Sequence, residues 1–176
     1  HRVLIAGGGY IGMEMAESLR ARGLAVTLLE RARQVLPGFE PVIAEGVHET
    51  LQRHGVAVLT GVGIEAIEQD GEGLRVRAGG QTLAADMVLL ALGVRPNVAL
   101  AQAAGIQLGA SGAIAVDEQQ RTNLPQVYAA GDCAEAYHRV LKQPVFIPLG
   151  TTANKQGKVA GANAAGAQER FSGIAG

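Results

Sequence analysis

Tryptophan is absent from these 176 residues, and cysteine occurs once, at Cys133. A single thiol excludes a disulfide framework and a cysteine-built zinc site. Aromatic residues make up only 3% of the chain, too few for an aromatic-filled sandwich core. An excess of one charge is missing too: 15 Lys and Arg stand against 16 Asp and Glu, a net charge of −1. With no basic run and few rings to stack on bases, the composition argues against nucleic acid as a partner. The longest apolar stretch, around Met87–Val94, is too short to cross a bilayer, and no signal-peptide pattern precedes the first strand. We therefore expect no membrane partner and a reducing, cytoplasmic location. Glycine, by contrast, is plentiful: 25 residues in a chain that is 48% hydrophobic. Such a core is built from small aliphatic side chains lying close to backbone, which suits α/β layers.

Val3–Ala6 is a continuous apolar run of the buried-strand kind, ended by Gly7–Gly9. Tyr10 to Arg22 reads as a helix, with Ile11, Met15, Ala16 and Leu19 on one apolar face and Gly23 as its stop. Leu24–Leu29 is a second strand, Pro41–His54 a second helix and Val56–Leu59 a third strand. Strands joined by helical crossovers lie parallel, with right-handed connections. After Gly61 the pattern changes. Ile64–Glu68, Leu74–Arg77 and Thr82–Ala84 are short half-buried strands separated by Asp70-Gly71 and Gly79-Gly80, hence an antiparallel meander. Asp86–Leu92 is a continuous apolar run after its opening Asp and fits the middle of the parallel sheet. A short strand at Val127–Ala130 and a small-residue helix at Thr151–Ala165 are expected in the remainder.

Gly7-Gly8-Gly9-Tyr10-Ile11-Gly12 satisfies G-x-G-x-x-G between a strand and a helix. Gly7 allows the tight turn, Gly9 lets the backbone approach a pyrophosphate, and Gly12 lets the helix pack on the strand. The N–H groups and dipole at the helix start favour an anion. Glu30 ends the second strand, where a carboxylate accepts hydrogen bonds from an adenosine ribose. Its charge would repel a 2′-phosphate and so favours NADH, although Arg31 and Arg33 could neutralise one. A ligand-free glycine turn is the bland alternative; the strand, motif, helix and acid occurring in order argue against it.

Thr122-Asn123-Leu124-Pro125-Gln126-Val127-Tyr128-Ala129-Ala130-Gly131-Asp132 carries a second signal: a strand ending at Gly131 and a carboxylate just beyond it. Here the chain resembles the FAD-dependent pyridine nucleotide–disulfide oxidoreductases, from about Val3 to Gly166. The meander, the Ala91-Leu92-Gly93-Val94-Arg95-Pro96-Asn97 junction and Gly131-Asp132-Cys133-Ala134 fit that family. Pro148-Leu149-Gly150-Thr151-Thr152-Ala153-Asn154-Lys155-Gln156-Gly157 is similar to its NADH oxidase, NADH peroxidase and CoA-disulfide reductase branch.

The resemblance implies an α/β fold: a Rossmann-like parallel sheet with crossover helices and a three-stranded antiparallel meander, plus a partial FAD-domain segment. It divides the chain into an NAD(P)-binding domain, 1–95, and a returning part of an incomplete FAD domain, 96–176. It gives Asp132 the flavin's ribityl chain, places Gly131, Gly150, Thr151 and Thr152 beside the flavin, and makes Gly93 of the junction a cofactor-binding residue. It also makes Tyr10 the ring that moves when nicotinamide enters, and makes Glu14 a residue that orients the nicotinamide. The family's first FAD turn, redox cysteine and dimerisation domain are expected outside these residues. No catalytic residue is therefore expected here, and Cys133 reads as an inert packed thiol. No metal site is expected either; His48 and His54 lie about 240° apart around their helix.

The implied function is passage of a hydride from NAD(P)H to FAD and on to a disulfide, peroxide or oxygen, in a protein that is a homodimer when intact. Its substrate would be a small molecule or a disulfide. Two alternatives stay open: a ferredoxin-reductase component of an oxygenase, and a non-catalytic NAD-binding sensor module. The sensor gives no reason for Thr122–Asp132, and the ferredoxin reductases usually carry a Trp near Leu149–Gly157.

Overall fold

The computed structural model describes residues 1–175. They form two compact units, His1–Gly93 and a second one from Val94 onward.

In the first unit, β1 (Arg2–Ala6), β2 (Ala25–Glu30), β3 (Ala57–Thr60) and β7 (Met87–Leu90) make a parallel sheet in the order β3-β2-β1-β7. Pairing runs from Arg2 opposite Ala25 to Ala6 opposite Leu29, and from Val3 opposite Met87 to Ala6 opposite Leu90. The alternation of side chains along β1 creates three layers. Val3 and Ile5 face α1 (Tyr10–Ala21) and α2 (Pro41–Arg53), in a core shared with Ala16, Leu19, Val26 and Leu28. Leu4 faces the opposite way, into a second core with Leu29, Val76, Ala78 and Ala85. Those last three belong to a meander of β4 (Ile64–Asp70), β5 (Gly73–Ala78) and β6 (Gln81–Ala85), antiparallel throughout. Both faces of β1 are thus covered, which is why Val3–Ala6 is apolar at every position. Gly71, Gly79 and Gly80 take the positive φ that the two meander turns require.

Two expectations need correction here. Among the described residues β7 is an edge strand, flanked only by β1, and stops at Leu90; Met87 and Leu90 are exposed. An apolar run reports burial or an outer partner alike, so it cannot place a strand within a sheet. The buried stripe of α1 runs through Gly12, Ala16 and Leu19, and Ile11 stands outside it, 57% exposed. Spacings of four and three residues keep that stripe on one side, and Ile11 lies one position off it.

Asp86 ties β6 and β7 to the start of β1. The Arg2 guanidinium donates to Oδ1 at 2.6 Å and the Arg2 N–H to Oδ2 at 2.7 Å. These two bonds, the side-chain one foremost, hold the Asp86 carboxyl below the ordinary carboxylate range. A carboxyl lowered in the folded state adds stability above its unfolded pKa, and that stability is lost as pH falls through the folded value. Asp86→Asn should therefore flatten the acid-side loss of stability below about pH 4, measured by urea unfolding across pH. An unchanged acid limb would refute the assignment.

The second unit contains α3 (Ala99–Ala103), a hairpin of β8 (Ala136–His138) and β9 (Gln143–Val145), and α4 (Gly150–Ala164). Val127–Ala130 is not a strand, contrary to expectation. Tyr128 makes one antiparallel bridge to Arg121, and Ile114 makes one parallel bridge to Ala134. The bonds Thr122 N–H to Val127 O and Ala129 N–H to Gln120 O close a local loop around Leu124–Gln126. An apolar run becomes a strand only when a neighbour supplies the ladder. α3 and the β8–β9 hairpin carry no periodic signal long enough to be read from sequence.

Candidate functional site

The glycine turn sits at the carboxyl end of β1. Gly7 has φ +114°, donates its N–H to Leu29 O at 2.8 Å, and leaves no room for a Cβ, which would fall on the Ala91 carbonyl oxygen. A Cβ on Gly12 would fall on the Gly7 carbonyl oxygen. Gly8 is also constrained: a Cβ there would lie 3.0 Å from the Glu30 Cβ. Gly9 differs from all three. Its φ is −85°, and an added Cβ would meet nothing within 4 Å. Packing leaves the Cβ direction of Gly9 open, and close approach of a ligand to the backbone would use that space.

Gly9 is also the N-cap of α1, with no side-chain cap and no acid in the first turn. The leading N–H groups of a helix have no partner within it, so the turn presents donors and a positive dipole end beside an open surface. Glu14 lies beyond the first turn, exposed, and makes no ion pair among the described residues.

Glu30 is already committed to the turn. One carboxylate oxygen accepts from Gly8 N–H and the other from Ala32 N–H, both at 2.6 Å. An ionised carboxylate offers about four acceptor positions, so two remain for hydroxyl donors. Arg31 and Arg33 are exposed and without an ion pair among the described residues. The Arg31 stem rests near Gly63, 3.5–3.9 Å from where a Cβ would stand. The Tyr10 ring, 64% exposed, meets Phe39 edge-on with centroids 5.9 Å apart. Gly93, with φ +89°, follows β7.

In the second unit, Gly131 has φ +82° and donates its N–H to Gln156 Oε1 at 3.0 Å. Gln156 is fully buried and donates from Nε2 to Glu135 O at 2.9 Å. One side chain thus fastens α4 to the Gly131–Asp132 turn, and a Cβ on Gly131 would touch Ala153 at 3.6 Å. Asp132 is exposed and bonded to no other described residue. Cys133 is half-buried, its thiol donating to Ala130 O at 3.4 Å. α4 starts at Gly150, with Gly150 and Thr151 exposed, Thr152 buried, and neither a side-chain cap nor an acid in its first turn.

Each unit therefore joins a glycine at a chain reversal, a carboxylate with free acceptor capacity and an uncapped helix N-terminus. Gly8, Phe39 and Gln156 are the residues that sequence reading missed. Gly8 could have been suspected, since three consecutive glycines exceed what the motif needs; Gln156 lies inside the Pro148–Gly157 motif but its role does not show there, and Phe39 carries no local signal. Among the described residues, no helix is long and apolar enough to cross a membrane.

The family model for pyridine nucleotide-disulphide oxidoreductases matches residues 1–168. An NADH oxidase of Methanocaldococcus jannaschii is 42% identical over 97% of this chain and 38% of its own length. An NAD-dependent persulfide reductase from A. fulgidus superposes with a TM-score of 0.93 at 36% identity, covering 99% of this chain and 32% of that one. A water-forming NADH oxidase from Lactobacillus brevis, solved bound to NADH, gives 0.91 at 29% identity, covering 98% and 38%. The chain spans about two-fifths of the length of the curated relatives it matches.

Proposed function

The chain belongs to the pyridine nucleotide-disulphide oxidoreductase family, and on that premise we propose that its first unit is a dinucleotide-binding domain of a flavoprotein NAD(P)H oxidoreductase. The observation that carries this reading is Gly9, a glycine whose Cβ direction is open, at a helix start without a side-chain cap. The pyrophosphate would lie there, with Gly7 and Gly12 shaping the turn and Glu30 accepting from the adenosine ribose. Ile11 and Gly12 would contribute N–H groups of the first turn, and Tyr10 and Glu14 would flank the nicotinamide.

In the second unit, Asp132, Gly131 and the Gly150–Thr152 start of α4 would hold part of a flavin, whose negative charge on reduction suits a helix N-terminus. In a whole protein these residues would hold NAD(P)H and FAD, whose chemistry would be hydride transfer to the flavin, for delivery to a disulfide, peroxide or oxygen. What these residues contribute is placement: backbone donors fix the phosphates, and two carboxylates orient the ribose and the ribityl chain. A homodimer and a cytoplasmic location complete the proposal.

Titration of the chain with NADH and NADPH tests it. NADH should bind, and more tightly than NADPH, because Glu30 would face the 2′-phosphate; Glu30→Gln should narrow that gap. We expect no turnover of NADH by these 176 residues alone. Failure of both dinucleotides to bind would overturn the reading, and NADH-dependent reductase activity would overturn the second expectation.

A further inference from the structure

The segment between β2 and α2 is a built element. Its start is fixed by Ala32, whose N–H goes to Glu30 and whose carbonyl accepts from Gly61 N–H at 2.7 Å. Val35 is fully buried. Leu36 then takes φ +47°, a backbone region that a bulky side chain rarely adopts, and its N–H returns to the glycine turn, donating to Gly8 O at 2.8 Å. The reversal presents Phe39, whose own N–H donates to Leu36 O at 2.9 Å and whose carbonyl accepts from Gln34 Nε2 at 2.9 Å. Both backbone groups of Phe39 are thus held, and its ring is set against Tyr10 at an interplanar angle of 75°.

The strand order says which side this is. Phe39 belongs to the connection leaving β2, on one side of β1, while β7 and Gly93 lie on the other. With the ribose at Glu30 and the pyrophosphate at Gly9, the dinucleotide runs from the β2 side toward the β7 side. The Tyr10 ring is drawn the opposite way. We infer that Phe39 is a positioning residue that parks Tyr10 on the β2 side and keeps the nicotinamide half of the site open. This rests on the dinucleotide reading proposed above.

Released from Phe39, Tyr10 spends part of its time over the nicotinamide position. Apparent NADH affinity then falls by the fraction of molecules left competent. An edge-to-face aromatic pair corresponds to about two- to tenfold. ADP-ribose, which has no nicotinamide, should not sense the change.

Calorimetric titration of the 176-residue chain with NADH and with ADP-ribose tests this in Phe39→Ala, Phe39→Tyr, Tyr10→Leu and the Tyr10→Leu/Phe39→Ala pair. Phe39→Ala should weaken NADH by about two- to tenfold and leave ADP-ribose unchanged. Phe39→Tyr should restore wild-type affinity, and Phe39→Ala should cost nothing further once Tyr10 is Leu. Equal losses for both ligands, tighter NADH binding, or an undiminished loss in the Tyr10→Leu background would each overturn the inference while leaving the site reading intact. No binding of NADH to the unaltered chain would overturn both.

Discussion

Gly7→Ala should cost the first unit about 3 kcal/mol or more, whereas Gly9→Ala, two residues away, should cost only the N-cap preference of glycine over alanine, about 1 kcal/mol. At Gly7 two penalties coincide: φ +114° is strained for an L side chain, and the new Cβ would fall on the Ala91 carbonyl. Relief would require β1 and the segment after β7 to separate, breaking the bond from Ala91 N–H to Ala6 O at 2.7 Å. At Gly9 neither penalty applies, since φ is −85° and the Cβ direction is open. The order should reverse for ligand. A methyl at Gly9 would stand where the pyrophosphate approaches, and NADH affinity should fall at least about tenfold, near 1.4 kcal/mol. Urea unfolding followed by hydrogen exchange of the β1 amides, beside NADH titration, separates the two effects. A Gly9→Ala protein that binds NADH normally would remove the main support for a phosphate site at this turn.

The contrast between these glycines also shows what was legible in the sequence. The succession β1, glycine turn, α1 and β2 could be read because local signals agree: continuous apolar strands, glycine punctuation and a helical stripe. Which glycine the packing demands and which it leaves open was not legible, because it depends on Ala91, some eighty residues further along. The edge position of β7 was hidden for the same reason, since strand order is a property of partners. Val127–Ala130 has strand composition but only its own loop to pair with. Of the second site, the glycine and acid of Gly131–Asp132 were visible as a motif. Gln156 was part of the Pro148–Gly157 motif, but that it joins the turn to α4 through Gly131 and Glu135 depends on partners some twenty residues away. Phe39 was equally silent, being an isolated aromatic in a loop whose geometry is set by Leu36 and Gln34.

Glu30→Ala should destabilise the first unit by about 2–4 kcal/mol, because hydrogen bonds to a charged group contribute about 1.5–3 kcal/mol each and a buried donor left alone costs its desolvation. Gly8 is buried, so water cannot readily replace the lost carboxylate oxygen; Ala32 is half-buried and recovers part of its bond. Glu30→Gln is not a neutral control for stability. Two separate N–H donors address two separate oxygens, and an amide offers only one oxygen. Its NH2 group must face either Gly8 N–H or Ala32 N–H, donor against donor, so Gln should keep one bond and lose the other. Stability should therefore rank Glu, then Gln, then Ala or level with Gln. NADH affinity should follow a different logic. Gln keeps one acceptor position for the ribose where Glu has two, and Ala keeps none; only in Ala is the turn itself released, since Gly8 also carries the bond from Leu36 that presents Phe39 to Tyr10. Ala should thus weaken NADH more than Gln does, and should weaken ADP-ribose as well. Equilibrium unfolding of the three proteins, with both ligands titrated into each, checks the ranking. A Glu30→Ala chain as stable as the parent would show that the 2.6 Å bonds to Gly8 and Ala32 contribute nothing net. Glu30 would then be a ligand residue alone rather than the strut of the turn.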